Sequence, residues 1–153
     1  MSSAEQSAAW RAHPNASGPA SMMLSIHDQF RAVSQHIVEL VAQGSSLATI
    51  ERAFSQLAAV LHHHHHAEEA MVFPFVERRT GIAPEQLQTD HDEMTAAIAN
   101  VESRLEARET ERVGAAIGRF HEILVTHLDR EEDLVIPVFL ALTPAEVWAL
   151  LHA

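Results

Sequence analysis

Four long stretches of the chain repeat apolar residues at intervals of three and four, the spacing of one face of an α-helix. They predict helices over about 21–43, 47–76, 84–107 and 111–140. A short fifth helix follows, beginning with the capping box Thr143-Pro144-Ala145-Glu146. No run of alternating β-branched residues indicates a strand. The pattern therefore predicts an all-α fold, an antiparallel up-down-up-down four-helix bundle with a short C-terminal fifth helix.

The first twenty residues lack this periodicity and are rich in alanine, serine, proline and glycine, a composition typical of a flexible arm. They also lack the basic start and apolar run of a signal peptide, and no apolar segment approaches membrane-spanning length. We therefore expect a flexible arm over 1–20, one helical domain over 21–153, and a cytoplasmic protein that does not enter a membrane.

Each apolar stripe is interrupted by polar residues that the helical spacing places inside. An ionised carboxylate buried without a partner costs several kcal/mol, out of about 5–15 kcal/mol of stability for a whole domain. The buried polar residues must therefore pair with one another or bind a cation. The positions predicted to face inward are Met23, His27, Phe30, Ser34, Ile37 and Val41; Ile50, Phe54, Leu57, Leu61, His64, Glu68, Met71 and Phe75; Leu87, His91, Met94, Ile98, Val101 and Leu105; and Val113, Ile117, Phe120, Leu124, His127, Glu131 and Leu134.

One polar frame, H-x-x-x-E-E-x-x-x-x-P, occurs twice, beginning at His64 and at His127. A histidine and a glutamate four residues apart lie on the same helix face, about one turn apart. A lone histidine precedes each frame at a nearly equal interval, so the chain resembles a duplicated helical hairpin. In an antiparallel bundle these positions fall in one layer near the same end. They predict a two-metal site with the ligands His27, His64, Glu68, His91, His127 and Glu131.

Two simpler interpretations must be weighed against a metal site. A single histidine on an apolar face is more often a hydrogen-bonded core residue than a ligand. Pairs at this spacing would be ordinary surface pairs if the assigned faces were wrong by one residue. Six such residues at one level, twice in the same order, favour the metal site.

The composition narrows the choice of metal and of partner. Nitrogen and oxygen ligands without sulfur suit iron, manganese or zinc, and the chain contains no cysteine. Twelve histidines among 153 residues are an anomaly that a metal site would explain. The formal net charge of -11 argues against a nucleic-acid partner, because no basic patch can neutralise phosphates.

Five consecutive histidines occupy positions 62–66 in the second predicted helix. Only His64 falls on the apolar stripe. His65 lies about 100° further round the helix and is a candidate outer-shell group or fifth imidazole. His62 and His66, four residues apart, are predicted to face solvent, and an exposed polar face is favoured over adventitious metal binding for this pair. Among the carboxylates, Asp28 and Asp92, which follow the two lone histidines, are candidates to orient the ligands.

This set of spaced motifs, with the proline after each pair and the trailing Leu-Thr-Pro-Ala-Glu segment, resembles the hemerythrin-like, HHE cation-binding family over about residues 21–152. The resemblance implies two iron ions bridged by the two carboxylates and an oxo or hydroxo group, with zinc or manganese as secondary candidates. Family members bind or sense oxygen, nitric oxide or redox state, store iron, or consume peroxide. We therefore expect binding of, or reaction with, O2, peroxide or NO. The alternatives are a non-catalytic metal or gas sensor, an iron-binding module, and a zinc-loaded structural bundle.

The chain differs from the oxygen-carrying hemerythrins at two positions. Those proteins have a second histidine four residues after the lone histidine of the third helix, where this chain has Thr95. They also have an aspartate five residues after the histidine of the fourth helix, where this chain has Glu132. The resemblance thus leaves one iron short of a protein ligand, to be completed by water or by another histidine of the second helix. This favours reaction with peroxide or oxygen over reversible oxygen carriage and leaves open whether the chain is an enzyme.

Overall fold

The structure is a computed structural model that describes residues 2–152, and no strand occurs among them. The all-α class is confirmed, and the long helices occur where the apolar spacing predicted them, whereas their antiparallel arrangement stays a prediction. No helix in this range is both long and apolar enough to span a membrane. The elements are α1 (Ser3–Arg11), α2 (Pro19–Ala42), α3 (Leu47–Ala67), a π-helical segment (Glu68–Val72), α4 (Phe73–Thr80), α5 (Glu85–Glu106), α6 (Thr110–Leu140) and α7 (Pro144–Leu151).

By its internal contacts the chain divides into two units, which we describe separately. The central unit comprises residues 30–127, and the terminal unit comprises residues 1–29 together with 128–153. The core of the central unit is apolar, and Phe54 meets Phe120 edge to face with their ring centroids 5.2 Å apart. The predicted inward positions that are buried in this unit include Phe30, Ile37, Ile50, Phe54, Leu57, Leu61, Leu87, Met94, Ile98, Val101, Leu105, Val113, Ile117, Phe120 and Leu124.

The terminal unit contains a helix, α1, that the missing periodicity did not predict. Its first turn is closed by a capping box: the Ser2 hydroxyl accepts from the backbone N–H of Glu5, and the Glu5 carboxylate accepts from the backbone N–H of Ser2. Further along, the Asn15 amide donates to the backbone carbonyls of Leu140 and Leu142, at 2.8 and 2.9 Å. Local capping and these two bonds, rather than an apolar stripe, order this part of the chain.

The second predicted helix is interrupted by the π-helical segment Glu68–Val72, in which the backbone N–H of Phe73 donates to the carbonyl of Glu68. The π-turn contains more residues than an α-turn, so the buried positions beyond Glu68 lie further along the sequence than regular α-helical spacing predicts. Phe73 and Val76 are buried, whereas Met71, predicted to face inward, is 60% exposed, and Phe75 is only half-buried. The predictions for Met71 and Phe75 are therefore wrong, because they assumed regular α-helical spacing throughout the predicted helix 47–76.

The second copy of the polar frame does not repeat this π-helical segment. The α-helix α6 continues through Pro137 to Leu140. After Glu131 its stripe advances by four residues to the fully buried Val135, so that Leu134, predicted inside, is exposed. Helical spacing allows a step of three or four, and the sequence pattern did not distinguish them.

Candidate metal centre

Three imidazoles and one carboxylate meet inside the central unit. His65, His91 and His127 come from α3, α5 and α6, and Glu68 is the first residue of the π-helical segment. One ligand atom from each of the four lies within 4.8 Å of the others, and all four residues are buried. Imidazole and carboxylate ligands bind zinc-sized ions at about 2.0–2.2 Å. The four side chains therefore surround a space that suits one metal ion.

Glu68 connects imidazoles from two helices. Its Oε1 contacts Nε2 of His64, which is on the preceding turn, and its Oε2 lies 3.1 Å from Nε2 of His91. The His64 side chain is 18% exposed and also meets the ring of Phe30 edge to face. The Glu68 carboxylate therefore has a different imidazole at each of its two oxygens.

His65 supplies the most direct test of whether a cation fits this cluster. Its ring stacks on that of His91 with centroids 4.0 Å apart, and its Nε2 is buried without a hydrogen-bond partner among the described residues. Burial, reinforced by the nearby His91, lowers the pKa of His65 to about 3, so the ring is neutral at pH 7. A buried nitrogen left unbonded costs about 1–3 kcal/mol. A cation bound to its lone pair would remove that cost.

Three imidazoles each contact a carboxylate through Nδ1. An ionised carboxylate can only accept, so each contact places the proton on Nδ1 and makes Nε2 the basic nitrogen. Metal-binding histidines show this arrangement in most proteins, because the outer carboxylate fixes the ring and raises its basicity. The pairs, measured from Nδ1 to the carboxylate oxygen, are His27 with Glu132 (3.0 Å), His91 with Glu69 (2.8 Å) and His127 with Asp90 (3.4 Å).

The outer carboxylates are themselves held in place. Gln88 donates to the same Glu69 oxygen that accepts from His91, at 3.1 Å. Gln86 donates to the second oxygen of Asp90 at 2.9 Å. Both glutamines lie on α5, so the first turns of this helix fix the orientation of imidazoles on α5 and α6.

The terminal unit contains one buried pair of the predicted ligands. His27 Nε2 lies 3.6 Å from Glu131 Oε2, and both side chains are fully buried. Together with the contact between His27 and Glu132, this places a carboxylate at each nitrogen of the ring. With its proton on Nδ1, the ring turns the lone pair of Nε2 toward the Glu131 carboxylate, and a cation between the two groups would lower the cost of burying them.

The family model of the hemerythrin HHE cation-binding domain matches residues 18–139. The chain belongs to this family. The matched region of the HHE domain contains all six predicted ligands as well as His65. No curated protein and no solved structure matches the chain.

Within the HHE domain the structure corrects the prediction that only His64 of the histidine run faces inward. From Leu61 the buried stripe of α3 steps by four to His65 and then by three to Glu68, while His64 lies at its edge. The structure thus brings His65 together with Glu68, His91 and His127. Thr95 donates its hydroxyl to the backbone carbonyl of His91, at 3.0 Å, which does not mark it as a replacement ligand.

The outer carboxylates also differ from those predicted. Asp28 is exposed and pairs with Arg11 at 2.5 Å, and Asp92 is exposed. The residues that orient the imidazoles are Glu69, Asp90 and Glu132. A signal for two of them was present in the sequence, since Glu69 and Glu132 are the second glutamates of the repeated frame. Asp90 had no such signal.

The lowered pKa of His65 predicts an acid-sensitive metal-free protein. The unfolded chain protonates His65 below about pH 6.5, whereas the folded chain keeps it neutral down to about pH 3. Protons therefore favour the unfolded state, and stability falls as the pH drops below about 6.5. Between about pH 7.5 and pH 5 this residue should account for about 2 kcal/mol of the loss.

Urea unfolding of metal-free His65→Leu at both pH values should show a smaller loss of stability than the wild type, by roughly that amount. His63→Leu, an exposed neighbour in the same run, should behave as the wild type. An unchanged pH dependence in His65→Leu would contradict the burial of a neutral imidazole.

Proposed function

We propose that this HHE domain is a non-haem di-iron protein that binds or reacts with O2, peroxide or NO. The observation that supports the proposal is the buried cluster of His65, Glu68, His91 and His127, in which His65 Nε2 has no hydrogen-bond partner among residues 2–152. The donors are imidazole and carboxylate, which suit iron, manganese or zinc. The outer carboxylates on His91 and His127 are those expected of metal-bound imidazoles.

The proposed ligand set contains the six residues predicted from the sequence, with His65 added. We assign His65, Glu68, His91 and His127 to one ion, and His27, His64 and Glu131 to the other, with Glu68 shared between them. The duplicated frame supports a site for two ions, since the same His and Glu spacing occurs in both halves of the sequence. The antiparallel four-helix arrangement, which is part of the proposal, would bring both halves to one level.

In this assignment the fifth imidazole comes from α3 rather than from α5. Oxygen-carrying relatives have a histidine where this chain has Thr95, whose hydroxyl bonds to its own helix. His65 stacks on His91 with ring centroids 4.0 Å apart, so it supplies an imidazole beside that position. The histidine run would thus replace a ligand that this chain lacks on α5.

Bound iron would supply a redox and Lewis-acid centre for a small oxygen ligand. The chain orients the imidazoles through their Nδ1 protons and surrounds them with apolar side chains. Phe73 packs against His91 with ring centroids 5.1 Å apart, and Leu61, Met94 and Leu124 are fully buried. These residues exclude water, which strengthens the electrostatic interactions of any cation held inside.

Metal analysis of protein produced in iron-replete cells tests the proposal. We expect about two irons per chain and the near-ultraviolet absorption of a ferric pair. A colourless protein containing zinc would support the structural-bundle alternative instead. Folded protein holding less than roughly half an iron per chain would overturn the di-iron assignment.

A second measurement separates reaction from binding in the iron-loaded protein. Repeated consumption of peroxide or oxygen would favour an enzyme. Tight binding of O2 or NO without turnover would favour the sensor or iron-binding alternative. Absence of both would contradict the proposed function while leaving the metal assignment intact.

A further inference from the structure

The helix α3 divides the run of five histidines between two faces. His65 is buried and His64 contacts Glu68, whereas the side chains of His62, His63 and His66 are exposed. All three exposed residues lie inside the regular part of α3, which ends at Ala67. His66 follows His62 by four residues and His63 by three, so it lies one turn along and angularly between them. One exposed face of α3 therefore presents three imidazoles.

We propose that His62, His63 and His66 form a second, surface metal site that binds a divalent first-row transition ion. Two histidines four residues apart lie on one helix face, and zinc-binding helices use this spacing to supply two ligands. Imidazole nitrogen suits Zn²⁺, Ni²⁺ and Cu²⁺, with Cu²⁺ bound most tightly. The site is independent of the buried centre, because its ligands are different residues and point to solvent.

The surroundings leave these imidazoles able to converge. Among residues 2–152, no side-chain hydrogen bond, ion pair or ring contact engages any of the three. The exposed neighbours one turn away include the small Ala59 and Ala70, and the carboxylate of Glu69 is held by Gln88 and His91. Rotation about the side-chain torsions is therefore all that a bound ion requires. The net charge of -11 favours the approach of a cation.

The surface site differs chemically from the buried centre. Its ligands are imidazoles and it retains water at its remaining positions, so the ion exchanges freely with solvent. The buried centre combines imidazoles with Glu68 in a dry interior. A bound ion at the surface should therefore be removed by a weak chelator that leaves the metal content of the centre unchanged.

Titration of the purified full chain with Zn²⁺ by calorimetry tests this site, after the metal already bound has been measured. We expect one further ion per chain. His62→Asn and His66→Asn should each weaken its binding at least tenfold, and the double variant should abolish it. His63→Asn should weaken binding less, because His62 and His66, which are four residues apart, still supply two ligands without it. His36→Asn is the matched control, since His36 is exposed on α2 with no second histidine within one turn.

A Cu²⁺ titration provides a second measurement that an unspecific surface effect would not reproduce. The electron paramagnetic spectrum should show nitrogen ligation in the wild type, and the double variant should lose it. An equal loss of Zn²⁺ binding in His36→Asn would mean adventitious binding and overturn the site. Unchanged binding in the double variant would do the same. The metal content of the buried centre, measured in every variant, tests the proposed function separately.

Discussion

Replacing Glu68 with alanine is expected to remove more than half of the metal bound per chain. Its oxygens contact His64 on one side and lie 3.1 Å from His91 on the other, so its loss affects the ligands of both proposed ions. Removing even an outer-shell partner lowers metal affinity by about 10–100-fold. Loss of a carboxylate that itself binds the metal should therefore cost more than about 100-fold. Metal analysis after dialysis measures the effect.

The matched control for this experiment is Glu102→Ala. Glu102 is exposed on α5, so its replacement removes the same charge without touching the cluster. Far-ultraviolet circular dichroism of both variants reports whether the helices are retained. A folded Glu68→Ala protein with the metal content of the wild type would show that Glu68 is not a ligand.

Replacing Phe54 with alanine is expected to lower the free energy of unfolding by about 3–5 kcal/mol. Phe54 is fully buried in the central unit, and its ring meets Phe120 edge to face. The substitution removes apolar area from the core and leaves a cavity that the surrounding side chains fill only in part. This is a large fraction of the about 5–15 kcal/mol that stabilises a typical domain.

Urea unfolding measures this loss, and Val60→Ala is the control on the same helix. Val60 is 48% exposed, so its truncation should change stability by less than about 1 kcal/mol. Since Phe54 lies ten residues before His64, about 15 Å along α3, the folded variant should keep the metal content of the wild type. A loss below about 1 kcal/mol for Phe54→Ala would contradict its place in the core.

The π-helical segment explains how two consecutive glutamates serve one imidazole. Glu68 contacts His91 at Nε2, and Glu69 accepts from the same ring at Nδ1, 2.8 Å away. The segment begins at these two residues, and Pro74, which cannot donate a backbone hydrogen bond, is the second residue after its end. π-Turns inside α-helices are often found at functional sites. Here the π-turn contains Glu68, a proposed metal ligand, and Glu69, which orients the ring of His91.

Local information in the sequence was sufficient to predict the long helices, α7 and most of the core. Apolar residues at intervals of three and four located α2, α3, α5 and α6 to within a few residues, because burial of one face dominates helix stability in a folded chain. The capping box at Thr143 located α7. The same spacing identified Glu68, His91 and His127 as inward-facing polar residues, which the structure brings together.

What the pattern could not determine were the choices that depend on partners distant in the sequence. The pattern did not pair Glu132 with His27, and it placed His64 rather than His65 on the stripe, because a helical period of 3.6 leaves a one-residue ambiguity at each turn. The tertiary structure resolved it: His65 stacks on His91 from another helix, and Glu132 accepts from His27 across more than a hundred residues of chain. Local periodicity thus determined that Glu68, His91 and His127 face inward. Packing decided between His64 and His65 and determined which side chains touch, since contact depends on helices that the local sequence does not specify.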